Sequence, residues 1–163
     1  MARAKAVDVV ATLEALGATV ATCESITGGL ICGELTSVPG SSRVVRGGLI
    51  TYATDLKTRL ADVDPALIER HGVVSPEVAH AMARGVRRAC QADWGLAVTG
   101  VAGPGPSDGV AAGTVWLCVE GPGAGATVLA QDAGDRQQVR RLVVDQALDL
   151  LASLLADAGQ ENR

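Results

Sequence analysis

Aromatic side chains are almost absent from this chain. Its 163 residues include two Trp, one Tyr and no Phe. A core must therefore be built mainly from aliphatic side chains, and binding of nucleic acid by stacking bases on successive aromatic rings is excluded. A basic surface is lacking as well, because the formal net charge is −4 and the pI is near 5.1. We therefore expect no nucleic-acid partner.

Long apolar segments are also missing. No run approaches the roughly 20 residues that cross a bilayer, and the first ten residues include three charged ones instead of the apolar block of a signal peptide. We expect a cytoplasmic protein with no membrane partner. The cysteines show no CxxC spacing and lie in apolar stretches, which predicts reduced core thiols and no metal site; they are Cys23, Cys32, Cys90 and Cys118.

Lysine is nearly as rare as the aromatic residues. Of the 14 basic residues, only Lys5 and Lys57 are lysines. Arginine keeps its proton in proteins, whereas a buried lysine can lose its proton and act as a base. An internal lysine in a chain this rich in arginine is therefore a candidate catalytic base. The single tyrosine, Tyr52, lies five residues before Lys57.

The hydrophobic pattern alternates between the period of helices and that of strands. It predicts helices over 4–17, 30–38 and 76–90 and a final helix from Asp135, whose capping box includes Gln138. It predicts strands over 18–23, within 44–53, and over 94–99, 113–119 and 126–131. The last two strands are separated by a short turn and should form a hairpin. We therefore predict an α/β protein, one three-layer α/β/α domain over residues 1–163 with a mixed β-sheet.

Two familiar nucleotide-binding motifs are excluded. The glycine-rich segment 100–109 leads into a strand, whereas a dinucleotide fingerprint leads into a helix. No GxxxxGK[ST] sequence is present, which excludes a P-loop. The spacing of Tyr52 and Lys57 is one residue longer than in the Tyr-x3-Lys pair of short-chain dehydrogenases. Since the dinucleotide fingerprint is also missing, membership of that enzyme class is excluded.

What remains is a set of hydroxyl groups and one candidate base. The sequence Glu24-Ser25-Ile26-Thr27-Gly28-Gly29 joins a predicted strand to a helix N-terminus, where backbone N–H groups favour an anion. A neutral Lys57 could activate a serine as a nucleophile. The residues leave open whether that serine is Ser25 or Ser42. They also leave open whether Ser25 only caps a helix and Lys57 is a solvated charge.

A series of short motifs runs in order along nearly the whole chain. They are residues 24–30 (ESITGGL), 38–42, Tyr52 with Lys57, 71–75, 82–83, 99–104, 113–115 and 134–136. Together they resemble the CinA C-terminal domain family, whose ESCTGGL signature has Cys where this chain has Ile26. The resemblance implies that no cysteine nucleophile is needed at this position. It also implies the stand-alone type of the family, without the N-terminal domain of longer CinA proteins.

The family is similar to nicotinamide mononucleotide deamidases, which release ammonia and nicotinate mononucleotide. This resemblance implies a catalytic group of Ser42, Tyr52 and Lys57. It implies a substrate site formed by Ser25, Thr27, Gly28, Gly29, Thr99, Gly100 and Gly103. It implies a small-molecule substrate, no cofactor and no metal, and we expect a homo-oligomer.

The phosphate of such a substrate needs local positive charge in a protein of net charge −4. Arg136 and Arg140 lie four residues apart at the start of the final predicted helix and share one face, so both are candidates. Pairing of these two arginines with nearby acids would be the structural alternative.

The alternative function is a nucleotide-binding or competence- or DNA-damage-associated regulatory module without turnover. Ammonia release from nicotinamide mononucleotide distinguishes this module from the deamidase.

Overall fold

The strands form one mixed sheet in the computed structural model, which describes residues 1–161. They are β1 (Val20–Glu24), β2 (Val45–Ile50), β3 (Trp94–Gly100), β4 (Thr114–Gly121) and β5 (Ala124–Gln131). Their order across the sheet is β2-β1-β3-β4-β5. β1 runs parallel to both β2 and β3, whereas β3, β4 and β5 are antiparallel neighbours. The carboxyl ends of β1, β2 and β3 therefore meet at one edge of the sheet.

Helices cover both faces of this sheet. One face packs against α1 (Ala2–Leu16), α2 (Leu30–Thr36) and α6 (Arg136–Glu161). The other face packs against α3 (Thr54–Ala61), α4 (Pro65–His71) and α5 (Pro76–Cys90). The prediction of a single three-layer α/β/α domain with a mixed sheet is thus confirmed. Its buried residues are mostly Ala, Val and Leu, and Trp94 is the aromatic side chain among them.

Local signals in the sequence set several element boundaries. The N–H of Val78 donates to the Ser75 hydroxyl at the start of α5, at 3.3 Å. At the start of α6 the N–H of Gln138 donates to Asp135 Oδ1, and the N–H of Asp135 donates to Gln138 Oε1. The predicted capping box is therefore confirmed. The predicted hairpin is β4–β5, and α2 ends at Thr36, two residues before its predicted end.

A close approach between α3 and α5 fixes the position of α3, the helix that contains Lys57. A methyl group on Gly85 of α5 would lie 1.7 Å from the carbonyl oxygen of Ala61 at the end of α3. Only glycine permits this contact, because any Cβ would overlap the backbone. The packing of α3 thus depends on one residue of a neighbouring helix.

The cysteines are free thiols, as predicted. Burial raises the pKa of Cys23 and of Cys118 to about 11, so both thiols are protonated near neutral pH. Cys32 and Cys90 are half-buried. Among the described residues, no three or more His, Cys, Asp or Glu side chains form a group that could bind a metal ion. In the same part of the chain, no helix has the length and apolar character needed to cross a membrane.

Candidate active site

Lys57 is a buried lysine whose amine contacts a serine hydroxyl. Its side chain is 1% exposed. Nζ donates hydrogen bonds to the Thr51 carbonyl oxygen at 2.7 Å and to Ser25 Oγ at 3.0 Å. Burial lowers the pKa of Lys57 below its usual 10.5, because the charged form loses hydration. A lysine that becomes neutral beside a hydroxyl is chemically able to accept the hydroxyl proton, as in serine–lysine catalysis.

The parallel strands bring this pair together across 32 positions of sequence. Ser25 directly follows β1, and Thr51 directly follows the neighbouring β2. The N–H of Thr51 donates to the Glu24 carbonyl, and the N–H of Ser25 donates to the Val98 carbonyl of β3. Both residues are therefore fixed by backbone hydrogen bonds at the carboxyl edge of the sheet, where ligands bind in α/β folds.

The carboxylate of Glu24 shapes the turn that contains Ser25. The Glu24 side chain is fully buried and accepts hydrogen bonds from five donors. The donors are the hydroxyls of Thr22 and Thr27 and the backbone N–H groups of Gly29, Ile31 and Cys32, at 2.6–3.1 Å. The three N–H groups belong to the N-terminus of α2, so an internal anion already occupies this terminus. The expected anion site at this turn is therefore filled by the protein itself.

A cavity of about 290 Å³ opens above Ser25 and Lys57. It lies between the segment after β2, the glycine-rich segment after β3 and the start of α6. Thr99 is buried in its wall and donates to the Val73 carbonyl at 2.9 Å. Residues that line it include Ser25, Ile26, Tyr52, Thr54, Lys57, Val73, Val74, Thr99, the segment 100–108 and Arg136.

Arg136 connects two sides of the cavity mouth. Its guanidinium donates to the Tyr52 hydroxyl at 2.7 Å and to the Gly103 carbonyl at 2.9 Å. Tyr52 is 58% exposed, so this pair lies where solvent and a ligand can reach it. The mouth of the cavity therefore has a positive charge in an otherwise acidic protein.

Of the catalytic and substrate-binding residues expected from the sequence, seven line this cavity. They are Ser25, Tyr52, Lys57, Thr99, Gly100, Gly103 and Arg136. Ser42 does not join them, which corrects its expected place beside Lys57. It is exposed in a 3-10 turn, Ser41–Arg43, that precedes β2, whereas Lys57 follows β2. Since β2 has six residues, about 20 Å of extended strand separates the two ends.

Four further expected substrate contacts lie outside the cavity lining. Thr27 is buried, and its hydroxyl donates to Glu24. Gly28 and Gly29 form the left-handed turn into α2. Arg140 donates to the carbonyls of Ile26 and Thr27, at 3.1 and 3.0 Å. These residues hold the turn behind Ser25 and leave Arg136 as the arginine at the cavity.

Two contributors to the cavity were not predicted from the sequence. The backbone N–H of Ile26 donates to no acceptor within residues 1–161, and Ile26 lines the cavity. An N–H directly after a nucleophile commonly stabilises an oxyanion. The other is Asp108, in the glycine-rich segment. Its Asp-Gly sequence signals a tight turn, but no local pattern indicates that the turn lines the same cavity as Lys57.

Comparison with known proteins agrees with the fold and the motifs. The family model of the CinA C-terminal domain matches residues 2–155. A CinA-like protein of Acidobacterium capsulatum is 48% identical over 140 residues, which cover 85% of this chain and 34% of that protein. One of Frankia casuarinae is 46% identical over 139 residues, which cover 85% and 32%. The chain thus spans about one third of the length of these curated relatives.

Solved structures give the same result. The competence/damage inducible protein CihA from Agrobacterium tumefaciens superposes with a TM-score of 0.90 at 34% identity, over 94% of both chains. A competence or damage-inducible protein from Enterobacter asburiae gives a TM-score of 0.92 at 31% identity, over 95% of this chain and 98% of that one. From its motifs, its fold and these relatives, this chain belongs to the CinA C-terminal domain family.

Proposed function

We propose that this domain is a serine amidohydrolase that converts nicotinamide mononucleotide to nicotinate mononucleotide and ammonia. Ser25 is the nucleophile and Lys57 is the general base. The observation that carries the proposal is the 3.0 Å contact between Lys57 Nζ and Ser25 Oγ at the floor of a cavity. This assignment replaces Ser42, which lies at the other end of β2.

The first half of the reaction acylates Ser25. Neutral Lys57 takes the hydroxyl proton as Ser25 Oγ bonds to the carboxamide carbon. The carbonyl oxygen becomes an oxyanion that accepts a hydrogen bond from the Ile26 N–H. Lys57 then gives its proton to the amide nitrogen, the carbon–nitrogen bond breaks and ammonia leaves. The Thr51 carbonyl, 2.7 Å from Nζ, orients the amine throughout.

The second half returns the enzyme to its starting state. Lys57 takes a proton from water as the water oxygen bonds to the acyl carbon. The bond from carbon to Ser25 Oγ then breaks, and the proton on Lys57 returns to that oxygen. The sum of both halves is amide plus water to acid plus ammonia, so the cycle consumes no group of the protein.

The cavity supports a mononucleotide substrate. Its volume of about 290 Å³ is at the lower end of the range for small-molecule sites, which suits one nucleotide better than a dinucleotide. Arg136 at the mouth offers a charge-assisted contact to a phosphate. We also propose that the protein works without metal or cofactor, as a homo-oligomer in the cytoplasm, with no nucleic-acid or membrane partner.

Ammonia release from nicotinamide mononucleotide by purified variants tests this proposal. We expect Ser25→Ala to lower kcat by about 10³-fold or more, because the attacking oxygen is lost. Lys57→Arg should have a similar effect, because arginine keeps its proton. Ser42→Ala and Lys5→Arg are the matched controls, since both lie away from the cavity, and both should keep near-normal turnover. Circular dichroism and thermal unfolding check that each variant folds.

Two results would overturn the mechanism. Near-normal turnover in Ser25→Ala, with loss of turnover in Ser42→Ala, would transfer the nucleophile to Ser42. Normal turnover in Lys57→Arg would remove Lys57 as the base. A folded wild-type protein that binds the nucleotide and releases no ammonia over long incubation would instead favour the regulatory binding module.

A further inference from the structure

Asp108 lines the cavity from a tight turn in the segment after β3. The N–H groups of Ser107 and Val110 each donate to the other residue's carbonyl oxygen, at 3.0 and 2.9 Å. Asp108 and Gly109 between them have φ of 48° and 76°. This is the geometry of a type I′ turn, which favours Asn or Asp followed by Gly. The turn therefore explains why position 108 is Asp or Asn. It does not explain the negative charge of Asp108, since Asn fits the turn equally well.

The carboxylate of Asp108 has no cationic partner among the residues that the structure describes. Within residues 1–161 it accepts no hydrogen bond and forms no ion pair, although it lines the same cavity as Arg136. Arg136 instead donates to Tyr52 and Gly103. The cavity thus has a positive and a negative group that do not neutralise each other. Such a pair complements a ligand that itself has charges of both signs.

Nicotinamide mononucleotide is a ligand of this kind, with a cationic pyridinium ring and an anionic phosphate. Resting on the function proposed above, we infer that Asp108 is the counter-ion of the pyridinium ring and selects cationic pyridine carboxamides over neutral ones. A carboxylate repels the phosphate, so the phosphate belongs at Arg136. The remaining role for Asp108 would be hydrogen bonding to the ribose hydroxyls, which does not depend on the charge of the ring.

Reduced nicotinamide mononucleotide separates these two roles. It keeps the ribose, the phosphate and the carboxamide, but its dihydropyridine ring is neutral. We would measure dissociation constants of both nucleotides by calorimetry, with Ser25→Ala protein so that no turnover occurs. Ser25→Ala protein should bind the oxidised nucleotide about fivefold more tightly than the reduced one, the scale of a solvent-exposed ion pair. Adding Asp108→Asn should remove this preference, because it should weaken binding of the oxidised nucleotide and leave binding of the reduced one unchanged.

Three further measurements sharpen the test. Asp108→Glu keeps the charge and should keep most of the preference. Asp8→Asn changes the net charge by the same amount on an exposed position of α1 and should leave the preference unchanged. Raising the ionic strength should reduce the preference, because salt screens exposed charges. Asn suits the turn, so loss of folding is not expected in the main variant.

The outcomes are distinct from those that test the proposed function. The counter-ion role would be overturned if Asp108→Asn weakened binding of both nucleotides equally, or if it weakened binding of neither. Failure of the Ser25→Ala protein to bind the oxidised nucleotide would overturn it as well. Charge-selective binding by Asp108, combined with no ammonia release from wild-type protein, would refute the amidohydrolase and leave this inference standing.

Discussion

Replacing Glu24 should destabilise the protein through groups that the carboxylate now satisfies. Glu24→Ala leaves the backbone N–H groups of Gly29, Ile31 and Cys32 without their acceptor. Each buried donor without a partner costs about 1–3 kcal/mol. Because two of these N–H groups are only partly buried, water can reach them and the total should be about 3–6 kcal/mol. That is a large share of the roughly 5–15 kcal/mol that stabilises a typical domain.

Glu24→Gln should have a smaller effect of the same sign. Its amide oxygen can keep the three donors of Oε2, but its NH2 group then faces the N–H of Cys32, which also donates. The loss should be about 2 kcal/mol. For a domain of this length that lowers the Tm by about 4–8 °C.

Thermal unfolding followed by circular dichroism measures both changes. Glu34→Gln is the matched control, because Glu34 lies on α2, the helix whose first N–H groups donate to Glu24, and its side chain forms no ion pair or hydrogen bond within residues 1–161. We expect its Tm to stay within about 1–2 °C of wild type. The order of stability should be wild type, Glu24→Gln, Glu24→Ala. If both Glu24 variants have the same Tm as Glu34→Gln, the buried carboxylate does not stabilise the turn and this prediction is wrong.

Three further predictions concern Lys57 and Arg136. Because burial lowers the pKa of Lys57, kcat/KM for ammonia release should rise with pH and level off below pH 10.5, and a flat profile would contradict the base assignment. At pH values between the lowered pKa of Lys57 and 10.5, the Lys57 amine is protonated in the unfolded chain and neutral in the native protein. The free energy of unfolding of wild type should therefore rise relative to that of Lys57→Met as pH increases through this window. An equal pH dependence of stability in the two proteins would contradict the lowered pKa. Arg136→Ala should raise KM for nicotinamide mononucleotide far more than for its riboside, and equal effects on both substrates would exclude a phosphate contact. Arg140→Ala, its control, should change both substrates alike, because Arg140 binds the Ile26 and Thr27 carbonyls.

Local interactions are the part of this protein that its sequence determines directly. The Ser75 cap, the capping box of Asp135 and Gln138 and the β4–β5 hairpin involve residues close in sequence, so short patterns predict them. The scarcity of lysine is also visible in the sequence, and it is enough to single out Lys57. Burial gives that choice a physical reason, because a lysine with 1% exposure loses the hydration that favours its charge.

The tertiary structure decided which hydroxyl faces that lysine. Ser25 and Ser42 are both serines in polar turns, and sequence separation alone cannot choose between them. The choice follows from the parallel pairing of β1 with β2, which brings the residues after both strands to one edge and leaves those before β2 at the other. Likewise, the turn 24–29 predicted an anion site, and the structure fills it with the carboxylate of Glu24. A sequence records which groups can bind an anion or transfer a proton, whereas only the packed sheet determines the distances between them.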